Sequence, residues 1–168
     1  MTVNQRIEFK RPGRFYIGGE WVAPASDKQI TVLSAHNEEV FATFPEAQAQ
    51  DVERAVAAAK AAFEGPWQRT TPAERGALLG AMAGKLMERS PDLAHAWTNQ
   101  MGILHQMASF GAPGMAGTFA YYAGLAQTFP FEEVHEPSYG GVTGLLVREA
   151  VGVVAAIVPW NAPASLIG

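Results

Sequence analysis

Apolar residues recur with a helical period in the first half of the chain. Between positions 51 and 63 they lie three or four residues apart, which is the period of one helix face. This stretch predicts a helix that ends at Gly65-Pro66, because glycine and proline both stop helices. The residues of this apolar face are Val52, Ala55, Val56, Ala59 and Phe63.

Two further helices are predicted from their start signals. Thr71-Pro72-Ala73-Glu74 has the form of a capping box with proline at the first helical position. Ser90-Pro91 starts the next helix, and Gly102 ends it. The predicted buried stripe of the first of these helices is Leu78, Leu79, Met82 and Leu86. The second carries the apolar residues Leu93, Ala94, Trp97 and Met101.

The segment from His105 to Gln127 has a helical pattern that glycines and a proline interrupt. A proline inside a helix costs about 3 kcal/mol and each glycine about 1 kcal/mol relative to alanine. We therefore expect a kink or break near Pro113. The interrupting residues are Gly111, Pro113, Gly114 and Gly117, and the predicted buried face is Met107, Phe110, Met115, Phe119, Tyr122 and Leu125.

Strand patterns lie on both sides of the predicted helices. Aromatic and β-branched residues flank Gly18-Gly19, which predicts a hairpin over 15–22. Further strands are predicted at 30–33, at 39–44 and, after a polar stretch that ends near 139, at 141–149.

The last apolar run, 151–158, has no polar alternation, which is typical of a parallel strand covered on both faces. Pro159 ends strand pairing because it has no N–H group. Trp160 offers a flat wall for a ligand, and the Asn161 carboxamide can donate a hydrogen bond to a developing oxyanion. On these three residues alone, an ordinary asparagine turn with a tryptophan that fills the core is the simpler interpretation.

Composition narrows the class of protein. The 168 residues are 48% hydrophobic and 17% charged, which is typical of one globular domain. The net charge of −4 argues against a nucleic-acid partner, because phosphate binding needs clustered lysine and arginine. No apolar run approaches the length that spans a bilayer, and no secretory leader is apparent, so we expect a cytoplasmic protein without a membrane partner.

Several kinds of site are excluded or weakly indicated by the residues present. The chain has no cysteine, which excludes disulfides, thiolate metal sites and a cysteine nucleophile within it. Its four histidines are dispersed without metal-ligand spacing, so no metal site is predicted. The glycines at 140–144 precede a strand and no lysine follows them, which favours a turn with a bulge over a phosphate-binding loop.

Short motifs occur in a fixed order from Phe15 onward. They are Phe15-Tyr16-Ile17-Gly18-Gly19-Glu20-Trp21-Val22, the helix 51–63, Trp67, Thr71-Pro72-Ala73-Glu74-Arg75, Tyr121-Tyr122-Ala123-Gly124-Leu125-Ala126, Arg148-Glu149-Ala150-Val151-Gly152-Val153-Val154 and Ile157-Val158-Pro159-Trp160-Asn161-Ala162-Pro163. Each motif is modest, but their order and spacing together resemble the NAD(P)-dependent aldehyde dehydrogenase superfamily.

This resemblance implies an α/β fold, specifically the amino-terminal part of an aldehyde dehydrogenase. Positions 1–14 would be a polar lead-in and 15–168 a partial dinucleotide-binding domain. That domain would comprise a β-hairpin, a helical layer, an arm of an oligomerisation hairpin near 138–150, and the first strand of a Rossmann-type sheet at 151–158. A homo-oligomer formed through the hairpin arm is the implied assembly.

The resemblance also implies a site. Ile157, Val158, Pro159 and Trp160 would line a cleft for NAD or NADP. Asn161 would donate a hydrogen bond to the oxygen of an aldehyde substrate. The family's cysteine nucleophile, general-base glutamate and ribose-binding residues would lie beyond Gly168, so the chain alone is expected to be inactive. The alternative is a non-catalytic interaction module whose segment 141–158 pairs with a full-length relative.

Overall fold

The computed structural model of the protein describes residue 7 and residues 9–167. Much of the predicted lead-in, namely positions 1–6 and 8, therefore lies outside the described residues. Among the described residues, six strands form three separate antiparallel pairs: β1 (Phe15–Ile17) with β2 (Glu20–Val22), β3 (Gln29–Leu33) with β4 (Val40–Pro45), and β5 (Glu132–His135) with β6 (Gly144–Val147). The same part of the chain contains five α-helices: α1 (Ala49–Glu64), α2 (Pro72–Glu88), α3 (Ser90–Met101), α4 (His105–Leu125) and α5 (Pro163–Ile167). A short 3-10 helix, Pro66–Arg69, separates α1 from α2.

The first two hairpins confirm the sequence predictions. In the β1–β2 hairpin, Phe15 pairs with Val22, and the connecting Gly18 and Gly19 both have positive φ, 62° and 87°. Glycine takes this left-handed conformation without steric penalty, which explains the tight turn. The third hairpin is only partly predicted, because β5 lies in the stretch that the sequence indicates as polar loop.

Helix α1 forms where its periodicity predicts, but its apolar face is not buried. Val52 and Val56 are 54% and 49% exposed, so the described structure leaves the apolar face of α1 uncovered. The buried residue of α1 is instead Asp51, which is 2% exposed. Its carboxylate accepts hydrogen bonds from the backbone N–H groups of Ala25 and Gln48, both at 3.0 Å, and pairs with Arg54. A polar contact therefore attaches the start of α1 to the preceding loop.

We expect Asp51→Asn to destabilise the fold at neutral pH and to flatten the acid limb of its stability profile. Hydrogen bonds from the Gln48 backbone, Arg54 and the Ala25 backbone lower the pKa of Asp51 despite its desolvation. A carboxyl with a lowered folded pKa stabilises the fold above the ordinary aspartate pKa, and that contribution is lost as the pH falls towards the folded value. Urea unfolding between pH 2 and pH 7 measures both effects. Asp27→Asn, in the nearby exposed loop, is the control, and equal pH profiles for the two variants would contradict the prediction.

Helices α2, α3 and α4 form one packed layer, with α4 in contact with both of the others. The capping box that starts α2 is confirmed: the Thr71 hydroxyl accepts from the Glu74 N–H, and the Glu74 carboxylate accepts from the Thr71 N–H at 2.7 Å. Gly102 ends α3 with a φ of 83°, as predicted. The core of the layer is a cluster of Ala94, Trp97, Ala108 and Ala112.

The faces that α2 and α4 bury differ from the predicted ones. Leu78 and Met82 of α2 are about half exposed, at 51% and 49%, whereas Gly76 and Ala83 are buried. On α4, Phe110 is 81% exposed. The buried residues of α4 are Ala108, Ala112, Met115 and Ala116. Small residues allow the helix backbones to approach closely, so the contact surface follows the alanines and glycines and not the bulkiest side chains.

Helix α4 continues through Pro113 without the predicted break. Proline removes one backbone hydrogen bond and disfavours the helix, but tertiary packing can override such local propensities. Here the flanking Ala112 is fully buried against α3, and Met115 is buried one turn further on. The packed layer on both sides of Pro113 therefore maintains one helix.

The terminal run 151–158 is not a strand in the described structure, which corrects the prediction of a Rossmann strand. Val151, Val154 and Ile157 are 96%, 74% and 92% exposed. A β-strand exists only where a neighbouring strand accepts and donates its backbone hydrogen bonds. No described residue supplies such a neighbour, so the apolar sequence has no regular secondary structure and is largely exposed.

Candidate functional site

The turn that carries the predicted site residues is attached to the helical layer. The indole Nε1 of Trp97 on α3 donates a hydrogen bond of 2.8 Å to the backbone carbonyl of Asn161. The next residue, Ala162, packs against the buried cluster of α3 and α4. Helix α5 follows directly and contacts α4. The Asn161 turn is thus held from one side by a buried donor and from the other by apolar contacts.

Trp97 itself is closely confined. It is 9% exposed and belongs to the cluster that joins α3 to α4. Gly111 of α4 lies directly against its ring, since a Cβ atom built at Gly111 would be 2.6 Å from the Cζ3 atom of Trp97. Only a residue without a side chain fits there unless the ring moves. Because Gly111 has no Cβ, the indole ring of Trp97 can lie against α4 and donate its hydrogen bond from that position.

Asn161 is exposed to solvent. Its backbone carbonyl is occupied by Trp97, but within residues 9–167 no hydrogen bond to its carboxamide is formed. The carboxamide NH₂ is a neutral donor with no titration to adjust at physiological pH. The geometry accordingly fixes the backbone of this residue and leaves its side-chain donor available.

Three of the four predicted cofactor-binding residues, Ile157, Val158 and Pro159, lie before the turn, and Trp160 begins it. Ile157 and Trp160 are 92% and 70% exposed, Pro159 is exposed and Val158 is half-buried. They could form one wall of a dinucleotide site. Such a site also needs backbone N–H groups converging on the phosphates, as at a helix N-terminus, and a carboxylate for the ribose. These four residues lie outside any helix and carry no carboxylate, so by themselves they do not form a complete dinucleotide site.

The predicted oligomerisation arm corresponds to the loop and second strand of the β5–β6 hairpin. Arg148 closes the base of this hairpin through the Pro130 carbonyl at 3.0 Å and through an ion pair with Glu133. The loop between the strands is exposed, with Tyr139 99% and Val142 96% accessible. This hairpin therefore presents apolar side chains to solvent beyond the helical layer.

The described residues contain neither a metal-binding cluster nor a helix that could span a membrane. No group of three or more histidine, cysteine, aspartate or glutamate side chains in this part of the chain is arranged to hold a metal ion. Over the same residues, each helix is either too short or too polar to cross a bilayer.

Sequence patterns alone do not reveal the role of Trp97. Its position on a helical face predicts a core residue, and the structure confirms that it is buried. The available signal is chemical: a buried indole N–H almost always needs an acceptor, so a core tryptophan implies a polar partner somewhere in the fold. That the partner is the carbonyl of Asn161, 64 positions further along, is visible only in three dimensions.

Comparison with known proteins assigns this fold to a class of oxidoreductases. A family model described as "Aldehyde dehydrogenase family" matches residues 21–168. The chain belongs to the aldehyde dehydrogenase family. An aldehyde dehydrogenase of Emericella nidulans is 37% identical over 161 residues, which cover 94% of this chain and 31% of the relative. A geranial dehydrogenase of Castellaniella defragrans is 35% identical over 90% of this chain and 32% of its own length.

Solved structures give the same result. A putative aldehyde dehydrogenase from Burkholderia cenocepacia superposes with a TM-score of 0.83 at 38% identity, covering 90% of this chain and 31% of that one. A Mycobacterium tuberculosis aldehyde dehydrogenase complexed with NAD+ has a TM-score of 0.84 at 36% identity, covering 92% of this chain and 32% of that one. The chain thus has the fold of an amino-terminal aldehyde dehydrogenase segment and spans about a third of its relatives' length.

Proposed function

We propose that this chain forms the amino-terminal part of an aldehyde dehydrogenase that oxidises an aldehyde to a carboxylic acid with NAD or NADP. The observation that carries the proposal is the Asn161 turn, whose backbone Trp97 holds while its carboxamide stays available. Family membership supports the reaction class. A related structure at 36% identity in complex with NAD+ supports the choice of a nicotinamide cofactor.

The proposed role of Asn161 is to stabilise negative charge on the substrate oxygen. When a thiolate attacks the aldehyde carbon, a carbon–sulfur bond forms and the carbonyl electron pair moves to the oxygen. A carboxamide N–H aimed at that oxygen stabilises the resulting oxyanion, and removing one such donor typically raises the barrier by about 3 to 4 kcal/mol. The thiolate has to come from outside this chain, which has no cysteine. NAD or NADP, when bound, would accept the hydride.

Cofactor binding, assembly and cellular location are part of the same proposal. Ile157, Val158, Pro159 and Trp160 would form a wall of the cofactor cleft once neighbouring parallel strands cover the segment 151–158. A homo-oligomer would form through the exposed β5–β6 hairpin, whose Leu145 is 57% accessible. We also propose a cytoplasmic location, on the compositional grounds given above.

Activity of the chain alone and of a completed enzyme tests the proposal. We expect the purified 168-residue chain to reduce no NAD or NADP above background with aldehydes. A joined polypeptide, in which this chain is followed by the remaining two thirds of the Emericella nidulans relative, should gain aldehyde-dependent reduction. Absorbance at 340 nm measures both. Turnover by the chain alone would contradict the expected inactivity, and a folded joined polypeptide that binds NAD but does not turn over would contradict the proposed role.

A second candidate function is that of a non-catalytic module that associates with a related full-length enzyme. The observation that favours it is the exposed apolar surface of the β5–β6 hairpin, including Tyr139, Val142 and Leu145. Size-exclusion chromatography of the chain mixed with the Emericella nidulans enzyme distinguishes the two. Stable co-elution that Leu145→Asp abolishes would favour the module, whereas separate elution would leave the catalytic segment as the function.

A further inference from the structure

We propose that Trp97 is a positioning residue for Asn161: its indole N–H fixes the backbone from which the asparagine side chain acts. The inference rests on the proposed function for its catalytic consequence, but its structural half stands independently. Trp97 lies on α3, whereas Asn161 follows a segment without regular structure. The hydrogen bond of 2.8 Å is a polar contact between this helix and the turn, beside the apolar packing of Ala162.

Among the described residues, the acceptor of the Trp97 hydrogen bond has no other backbone partner in regular structure. The Asn161 carbonyl belongs to a turn residue, outside any helix or sheet ladder that would satisfy it. Its hydrogen bond to a side chain therefore determines where the peptide plane lies. Because the carboxamide is attached to the same residue through two side-chain torsions, fixing the peptide plane also limits the positions that the carboxamide nitrogen can reach. Catalytic donors have to be held within fractions of an ångström of their productive position.

The donor of this hydrogen bond, the indole of Trp97, is itself held in place. A flexible side chain could follow a moving turn, but the indole of Trp97 cannot, because it is 9% exposed and in close contact with Gly111. Moving the ring would leave its N–H group without an acceptor in a buried place, which is unfavourable. The packing of α3 and α4 therefore fixes the indole ring, and the hydrogen bond from the ring fixes the backbone of the Asn161 turn.

Hydrogen exchange and NMR of the 168-residue chain test the structural half. We expect the Trp97 indole proton to exchange most slowly of the four tryptophans, since Trp21, Trp67 and Trp160 are 41%, 44% and 70% exposed. Trp97→Phe keeps an aromatic ring but removes the donor. It should accelerate backbone exchange at 161–167 about three- to tenfold and shift the Asn161 carboxamide resonances.

Trp67→Phe is the matched control, because it removes an indole from the exposed 3-10 helix. It should leave exchange at 161–167 and the Asn161 resonances unchanged. If Trp97→Phe leaves them equally unchanged, the inference is overturned.

A double-mutant cycle in the joined polypeptide tests the catalytic half. Trp97→Phe should lower kcat about three- to tenfold with the KM for aldehyde unchanged. On an Asn161→Ala background the same change should have no further effect on kcat, because a residue that acts through Asn161 has nothing left to position. Independent, multiplying effects would overturn the inference. If Asn161→Ala leaves kcat unchanged while the exchange results hold, the proposed function fails and the structural contact stands.

Discussion

Asn161→Ala is expected to lower kcat of the joined polypeptide by about two to three orders of magnitude, with a much smaller change in the KM for aldehyde. The oxyanion develops as the nucleophile adds, so the donor is needed mainly in the transition state and contributes little to ground-state binding. Steady-state kinetics with saturating NAD measure the two constants separately. Equal falls in kcat and kcat/KM are the signature of an interaction made only in the transition state.

Two further variants separate the donor from the shape of the side chain. Asn161→Asp keeps the size of the residue but replaces the NH₂ donor by a negatively charged acceptor, so we expect a loss of kcat at least as large as with alanine. Asn37→Ala removes a carboxamide from the exposed β3–β4 turn, where it bonds Glu39 at 2.8 Å, and should leave kcat unchanged. A kcat for Asn161→Ala within threefold of the parent would exclude the proposed role.

Gly111→Ala and Gly114→Ala are expected to change the free energy of unfolding in opposite directions. Both residues lie on α4, where alanine is the better helix former by about 1 kcal/mol. At Gly114 a Cβ meets nothing within 4 Å, so the propensity gain should be realised as stabilisation. At Gly111 the Cβ would be 2.6 Å from the ring of Trp97, and such overpacking costs about 1 to 3 kcal/mol.

Urea unfolding of the two variants measures the difference, which we expect to be about 1 to 3 kcal/mol once the shared propensity gain cancels. The ring cannot rotate away cheaply, because its N–H is bonded to Asn161 and its faces contact buried alanines. Gly111→Ala should therefore also expose the Asn161 turn to faster hydrogen exchange, which Gly114→Ala should not. Equal stabilisation by both substitutions would show that the ring of Trp97 is free to shift.

The sequence predicted those turns and helix ends well that depend on one residue or on a contact between near neighbours in the chain. The Gly18-Gly19 turn, the capping box at Thr71 and the αL glycine at Gly102 each depend on backbone conformation or on a bond to a near neighbour. Such features are determined by the residues themselves, and they were found at the predicted positions. Strand β5 was not predicted, because its Glu132-Glu133 start gives no apolar alternation and its paired residues on β6 lie nine or more positions away.

Which face an element buries was predicted less well. Val52, Leu78 and Phe110 belong to apolar faces that the described structure leaves exposed. Periodicity identifies an apolar face but not the surface that covers it. The same limit applies to the terminal run, where Val151 and Ile157 are apolar but have no neighbouring strand in the described structure.

For the proposed site, the sequence by itself determined the residue types and their order: an apolar run, Pro159, Trp160 and a neutral carboxamide at Asn161. Only the tertiary structure decided how that carboxamide is held. Trp97, Gly111 and Asn161 are far apart in the chain, and their contact depends on α3 and α4 packing closely through alanines. The chemistry of a side chain follows from the residue type and can be read from the sequence. The place where that side chain is held depends on packing between distant segments, and no local sequence pattern specifies that packing.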